Sequence, residues 1–181
     1  MRPLPALFLA LAVLGCGGGK PESDPKPVIQ AGLPEPYDPR IPVHGADVNY
    51  TVTLDQPVDL VWRALALAYD SVGVKLNFLD ANAHLMGNQG MALKSKLGTT
   101  SLSSYIDCGR AQGSFSADTY EVTMVVISWV RVAESGKTEI VTRLTSAARP
   151  PTIGQQFSRC TSKTTLEKAI GEKVRTILAG R

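Results

Sequence analysis

Histidine is nearly missing from the chain. Only His44 and His84 occur in 181 residues, and each stands alone, with no second ligand at a metal-binding spacing. That scarcity argues against zinc sites and against a nucleophile–histidine–acid triad, in which an imidazole takes and returns the proton. No Cys-x-x-Cys pair occurs. The glycines before Lys20 fail as a phosphate loop. Leu14 stands where its first glycine belongs, and Pro21 stands where a Ser or Thr would hold magnesium. An excess of one charge is also lacking. There are 19 basic and 16 acidic side chains, for a formal net charge of +3, with no basic stripe to follow a nucleic-acid backbone. No apolar run approaches the roughly 20 residues that span a bilayer. The expectation is a protein without metal, cofactor, nucleic-acid partner or catalytic role. The residual catalytic constellations are His84 beside an Asp or Ser, and Asp107 meeting Asp118.

What is present begins at the amino terminus. Met1-Arg2 is followed by a short apolar run through Leu14, then Gly15-Cys16, and apolarity stops at Gly17-Gly18-Gly19-Lys20. One positive residue, a short apolar segment and a small residue before the cut make a secretory signal. Val13-Leu14-Gly15-Cys16 resembles the lipobox of bacterial lipoproteins. That resemblance implies removal of residues 1–15, a diacylglyceryl thioether on Cys16 and a further acyl chain, such as palmitate, on the new amino terminus. One acyl chain binds a membrane only marginally, at roughly 0.8 kcal/mol per buried methylene, and two or three hold firmly. The resemblance further implies a cell-envelope location with the folded part in the periplasm. Gly17, rather than Asp, after Cys16 favours the outer membrane by similarity to enterobacterial sorting.

Three cysteines are an odd number. With Cys16 lipidated, Cys108 and Cys160 remain as a pair in an oxidising compartment, where a bridge is expected. Two buried free thiols, or a reactive Cys160 before a helix, are the alternatives. Residues 16–46 form the anchor and linker. Seven of the twelve prolines fall here, from Pro21 to Pro42, and such a segment buries too little to offset its ordering entropy. It is expected to lift the domain, residues 47–181, off the membrane.

Within that domain, Val48–Leu54 alternates as a strand. Asp55-Gln56-Pro57 opens a helix with Asp55 as its cap, and Val58, Val61, Trp62, Leu65, Tyr69 and Val72 form its apolar stripe up to Gly73. Val74–Leu79 and Leu85–Leu93 read as strands, with Gly87 and Gly90 marking a bulge or a close approach. Leu102–Gly109 is a short strand inside an irregular stretch, 94–119. Tyr120–Val132 and Thr138–Ala147 are the strongest strands. The first is apolar on both faces, as a central strand would be. A loop follows over 148–159, and a helix runs from a Ser162 cap to about Leu178. The class is therefore α+β, a mainly antiparallel sheet of about five strands packed with two helices.

Gln56-Pro57-Val58-Asp59-Leu60-Val61-Trp62-Arg63-Ala64-Leu65, with Gly73-Val74-Lys75 after it, resembles the opening of helix-grip domains that bind lipids and polyketides. It is also similar to the lipoprotein C subunit of the outer-membrane assembly machinery, and to bacterial envelope lipoproteins more broadly. These resemblances imply a noncatalytic accessory domain that contacts another envelope protein or a cell-wall component. The alternative is a binder of a small apolar ligand in a cavity between the sheet and the C-terminal helix. Trp62, Tyr69 and Trp129 are the candidate contact residues.

Overall fold

A computed structural model describes residues 49–151 and 157–180. The expected signal segment and linker, Cys16 and His44 all lie outside the described residues. The fold is built on β9 (Glu121–Val132) and β10 (Thr138–Arg149), joined by a turn at Glu134-Ser135-Gly136. They pair antiparallel over their full length, from Thr138 opposite Val132 to Arg149 opposite Glu121. On the far side of β9 lies β3 (Leu85–Lys94), extended by the short β2 (Phe78–Asp80), β4 (Lys96–Leu97) and β5 (Thr100–Ser101). The far edge of β10 is shared. β1 (Asn49–Leu54) pairs with its first half, and β11 (Ser158–Ser162) pairs with Ser146 to Ala148. β6 (Ile106–Asp107) completes a nine-stranded sheet by pairing with β11. A separate small hairpin is made by β7 (Arg110–Ala111) and β8 (Ser114–Phe115).

Two helices, α1 (Val58–Ser71) and α3 (Thr165–Ala179), cover one face of the sheet, and a single turn, α2 (Ser116–Thr119), lies beside it. The class is α+β with an antiparallel sheet and two main helices, as the strand and helix periodicities imply. The main core lies between helices and sheet. It takes Val61, Leu65, Ile170 and Val174 from the helices and every second residue of the long strands, such as Met124, Val126, Ile140 and Leu144. That alternation is the two-residue period of a strand with one face on a core. α3 comes close to β1 because position 171 has no side chain. A Cβ on Gly171 would stand 2.5 Å from Val52 Cγ2.

Several elements differ from the sequence reading. Residues 74–77 are not strand, and only Phe78–Asp80 pairs. Asp55 does not cap α1. Its carboxylate pairs with Lys137 Nζ at 2.9 Å, and Pro57 stands at the cap position with no side-chain hydrogen bond. The loop expected over 148–159 gives up its ends to β10 and β11. α3 starts at Thr165, because Ser162 is the last residue of β11 rather than a cap. The expected bulge is present, between Asn88 and Met91.

Cys108 and Cys160 form a disulfide across 52 positions. It ties the residue after β6 to the middle of β11, which pins the irregular stretch 94–119 to the strand that delivers α3.

Candidate functional site

An apolar strand face asks no polar partner of its neighbours, so Ser128 is out of place among Met124, Val126 and Val130. The same holds for Thr142 between Ile140 and Leu144. The register sets Thr142 directly opposite Ser128, and their hydroxyls are 2.7 Å apart. The stripe of α1 then brings Tyr69 over them, with its hydroxyl 2.8 Å from Ser128 Oγ. All three are buried. Burial pushes the Tyr69 phenol far above its ordinary range. The Ser128 hydrogen bond opposes that push, and the Glu167 carboxylate adds to it. Replacing Tyr69 with phenylalanine keeps the ring and leaves Ser128 bonded to Thr142. Its expected cost is therefore one net hydrogen bond, about 1 kcal/mol in a urea melt, and a loss above ~3 kcal/mol would show a larger role.

Glu167 belongs to the first turn of α3. Thr164-Thr165-Leu166-Glu167 has the spacing of a capping box, but the box does not close. Thr164 has a left-handed backbone (φ +59°), and its N–H donates to Ser162 Oγ at 2.9 Å. Ser162 Oγ in turn donates to Glu167 Oε1 at 2.6 Å. The carboxyl thus turns into the core, where Glu167 is 0 % exposed and its Oε2 meets no hydrogen-bond partner. On β10, Ser146 Oγ is also buried on the helix-facing side without a partner. Burial raises the Glu167 carboxyl above the ordinary carboxylate value, against the Ser162 hydrogen bond.

The sign of the pH effect follows. A folded-state pKa above the unfolded one means that the folded protein holds the proton longer. The stabilisation is complete below the ordinary carboxylate pKa and is lost as pH rises through the raised value. Glu167→Gln is expected to remove that descending limb while keeping the hydrogen bond to Ser162. Thermal melts across a pH series, compared with wild type, check this. Parallel profiles for the two proteins would refute it.

The three candidate contact residues do not come together. Tyr69 is wholly inside. Trp62 lies half-buried on α1 and meets the His84 ring edge-on, with centroids 5.5 Å apart. Trp129 is on the sheet's other face, with the Arg131 guanidinium 5.0 Å from its ring. His84 has a left-handed backbone (φ +50°) at the β2–β3 turn, with Asp59 as its acidic neighbour at 3.9 Å. Asp107 and Asp118 are used locally. Asp107 Oδ1 accepts from the Gly109 N–H and Asp118 Oδ1 from the Ser103 N–H, each at 2.8 Å. Among the described residues no group of three His, Cys, Asp or Glu side chains is placed to hold a metal, and no helix is long and apolar enough to cross a membrane. A shallow surface cleft of about 380 Å³ lies between Gln56-Pro57 and the β9–β10 turn, away from the polar cluster. No protein-family model matches the chain, and no curated protein sequence is similar to it.

Sequence reasoning named Tyr69 but missed Ser128, Thr142, Ser146 and Glu167. Ser128 was legible as the one polar residue on an apolar strand face. Nothing in the sequence marked Glu167 as buried, because its spacing is that of an ordinary exposed capping residue.

Proposed function

We propose that the chain is a lipid-anchored envelope protein whose folded domain binds, without catalysis, a small apolar ligand bearing one polar group. The ligand lies between the sheet and the C-terminal helix. The observation that carries this reading is the pair of unpartnered atoms there, Glu167 Oε2 and Ser146 Oγ. Each such buried group costs about 1–3 kcal/mol when left unmade, and an orphan of this kind calls for a specific occupant. A protonated Glu167 both donates and accepts, which suits a hydroxyl, amide or carboxylic acid head. Met86 and Met124, both in this core, are the side chains that re-pack most readily around an apolar tail. The layer is filled, with Leu166, Ile170 and Val174 fully buried, so the ligand is small and is admitted by re-packing of the surrounding side chains.

The test is native mass spectrometry of the protein purified from membranes of its host. A non-covalent adduct is expected on the wild type and is expected to be lost from Glu167→Leu and Ser146→Val. Wild-type protein that carries no adduct beyond ordered water would overturn the reading.

A further inference from the structure

Which oxygen of Glu167 carries the proton is fixed by its neighbours. The Thr164 N–H donates to Ser162 Oγ at 2.9 Å. That occupies a lone pair of the hydroxyl and leaves its own hydrogen to place. Glu167 Oε1, at 2.6 Å, receives it. Oε1 is therefore an acceptor, the carbonyl-like oxygen of the carboxyl. Burial keeps the group protonated above the ordinary carboxylate range, and the proton then belongs on the other oxygen, Oε2. Glu167, 0 % exposed, thus points an O–H into the core, where Oε2 has no partner among the described residues.

Ser146 Oγ is the second orphan. Strand register places it near the first. Ser146 stands opposite Cys160, and Ser162 is two residues further along β11, hence on the same side of the sheet. Residues so related are diagonal neighbours, with Cβ atoms about 7–8 Å apart. Ser146 is 0 % exposed, so its hydroxyl hydrogen has no bulk water to go to. Two hydrogens therefore face the layer between β10 and α3, and no described side chain accepts either.

We infer that the ligand presents an uncharged carbonyl oxygen, as in a ketone, ester or amide, which accepts from both Glu167 Oε2 and Ser146 Oγ. This rests on the ligand reading above and narrows it. A carbonyl oxygen has two lone pairs and no hydrogen of its own. It satisfies both donors and leaves nothing further to place. A ligand hydroxyl also accepts, but it brings a third hydrogen into a layer whose other side chains include Leu166, Ile170 and Met124. An ammonium requires the ionised carboxylate, and burying that pair strips both ions of water. A carboxylate head meets Glu167 as a like charge unless one of the two is protonated.

The experiment titrates the protein purified from membranes of its host, in mildly acidic buffer. The probes are methyl hexyl ketone, the alcohol of the same skeleton, and n-heptylamine. The NMR signals of the Met86 and Met124 methyls, both in this core, report binding inside the domain. The ketone is expected to bind roughly tenfold more tightly than the alcohol, the worth of one buried hydrogen left unplaced. The amine is expected to leave the methyls unmoved. Glu167→Gln is expected to keep ketone binding, because Ser162 holds the amide oxygen and turns the NH2 to the place of the Oε2 proton. Glu167→Leu is expected to weaken it at least about tenfold. Alcohol or amine binding as tight as the ketone's would overturn the carbonyl assignment, as would loss of ketone binding in Glu167→Gln. A wild type that responds to none of the three probes would overturn it too, whereas the ligand reading falls only if the native protein carries no adduct.

Discussion

Gly87→Ala is expected to abolish the native fold, or to lower stability by at least about 4 kcal/mol, the range reached only when backbone or core geometry is broken. Gly87 lies opposite Ile127 where β3 joins β9. A Cβ built there overlaps the carbonyl oxygen of Val126 and stands 2.8 Å from Ile127 Cα. Both are backbone atoms of the central strand, which is held on its other side by the whole of β10. No rotamer change relieves the overlap, so alanine alone does the damage and a larger residue adds little. Two other glycines calibrate the effect. At Gly171 the neighbour is the Val52 side chain, which can rotate, so Gly171→Ala is expected to cost roughly 1–3 kcal/mol. At Gly113 a Cβ meets nothing within 4 Å, and only its left-handed backbone (φ +82°) penalises alanine, by about 1 kcal/mol. Denaturant melts of the three variants check the order. A Gly87→Ala protein within ~1 kcal/mol of wild type would refute the close approach.

The same position shows how far the sequence could be read. Gly87 and Gly90 in an otherwise regular strand implied a bulge or a close approach, and the two occur side by side in β3. The long strands β9 and β10 were legible because alternation over twelve residues leaves one pairing that buries both faces. β11 was not. Ser158–Ser162 is five residues with a single apolar side chain, Cys160. It becomes a strand because β10 offers a free edge and the disulfide holds it there, both consequences of tertiary structure. Residues 74–77 failed in the opposite way. They alternate well, but the ladder contacts go elsewhere. Asn88 Nδ2 donates to the Lys75 carbonyl at 2.6 Å, and the Gln89 N–H donates to Asn77 Oδ1 at 2.8 Å. Only the Asn77 N–H, donating to the Gly87 carbonyl at 3.1 Å, keeps a backbone bond to β3, and side chains make the other contacts where the pattern implied a ladder. Glu167 shows a third kind of failure. Periodicity places it at a helix start, and only the conformation of Thr164 decides whether its carboxyl faces water or the core.

Loss of the Cys108–Cys160 bridge, by Cys108→Ser or by reductant, is expected to lower stability by about 4 kcal/mol. This is the chain-entropy value for closing a loop of this length, with strain and residual structure as the usual corrections. For a domain of this size it corresponds to a fall in melting temperature of roughly 10–20 °C. The bridge also has a local effect, because little else fixes β11. Its ladder to β10 runs over Ser146, Ala147 and Ala148, and its ladder to β6 over only two pairs. Beyond Ser162, the Lys163 N–H donates to the Tyr105 carbonyl at 2.8 Å and Thr165 Oγ1 to the Ser104 carbonyl at 2.6 Å. These bonds tie the entry of α3 to the segment that the disulfide anchors. Reduction therefore loosens the entry of α3 as well as the loop, and that entry is what keeps the Glu167 carboxyl buried, the cause of its raised pKa. The reduced protein is expected to lose both overall stability and the Glu167-dependent limb of its pH profile. The Cys108→Ser/Cys160→Ser double variant should match the reduced wild type in both respects. Coincident melts of oxidised and reduced protein would show that the bridge contributes nothing. A stability loss with the Glu167 limb intact would show that β11 is held by its ladders alone, and that the buried carboxyl does not depend on the disulfide.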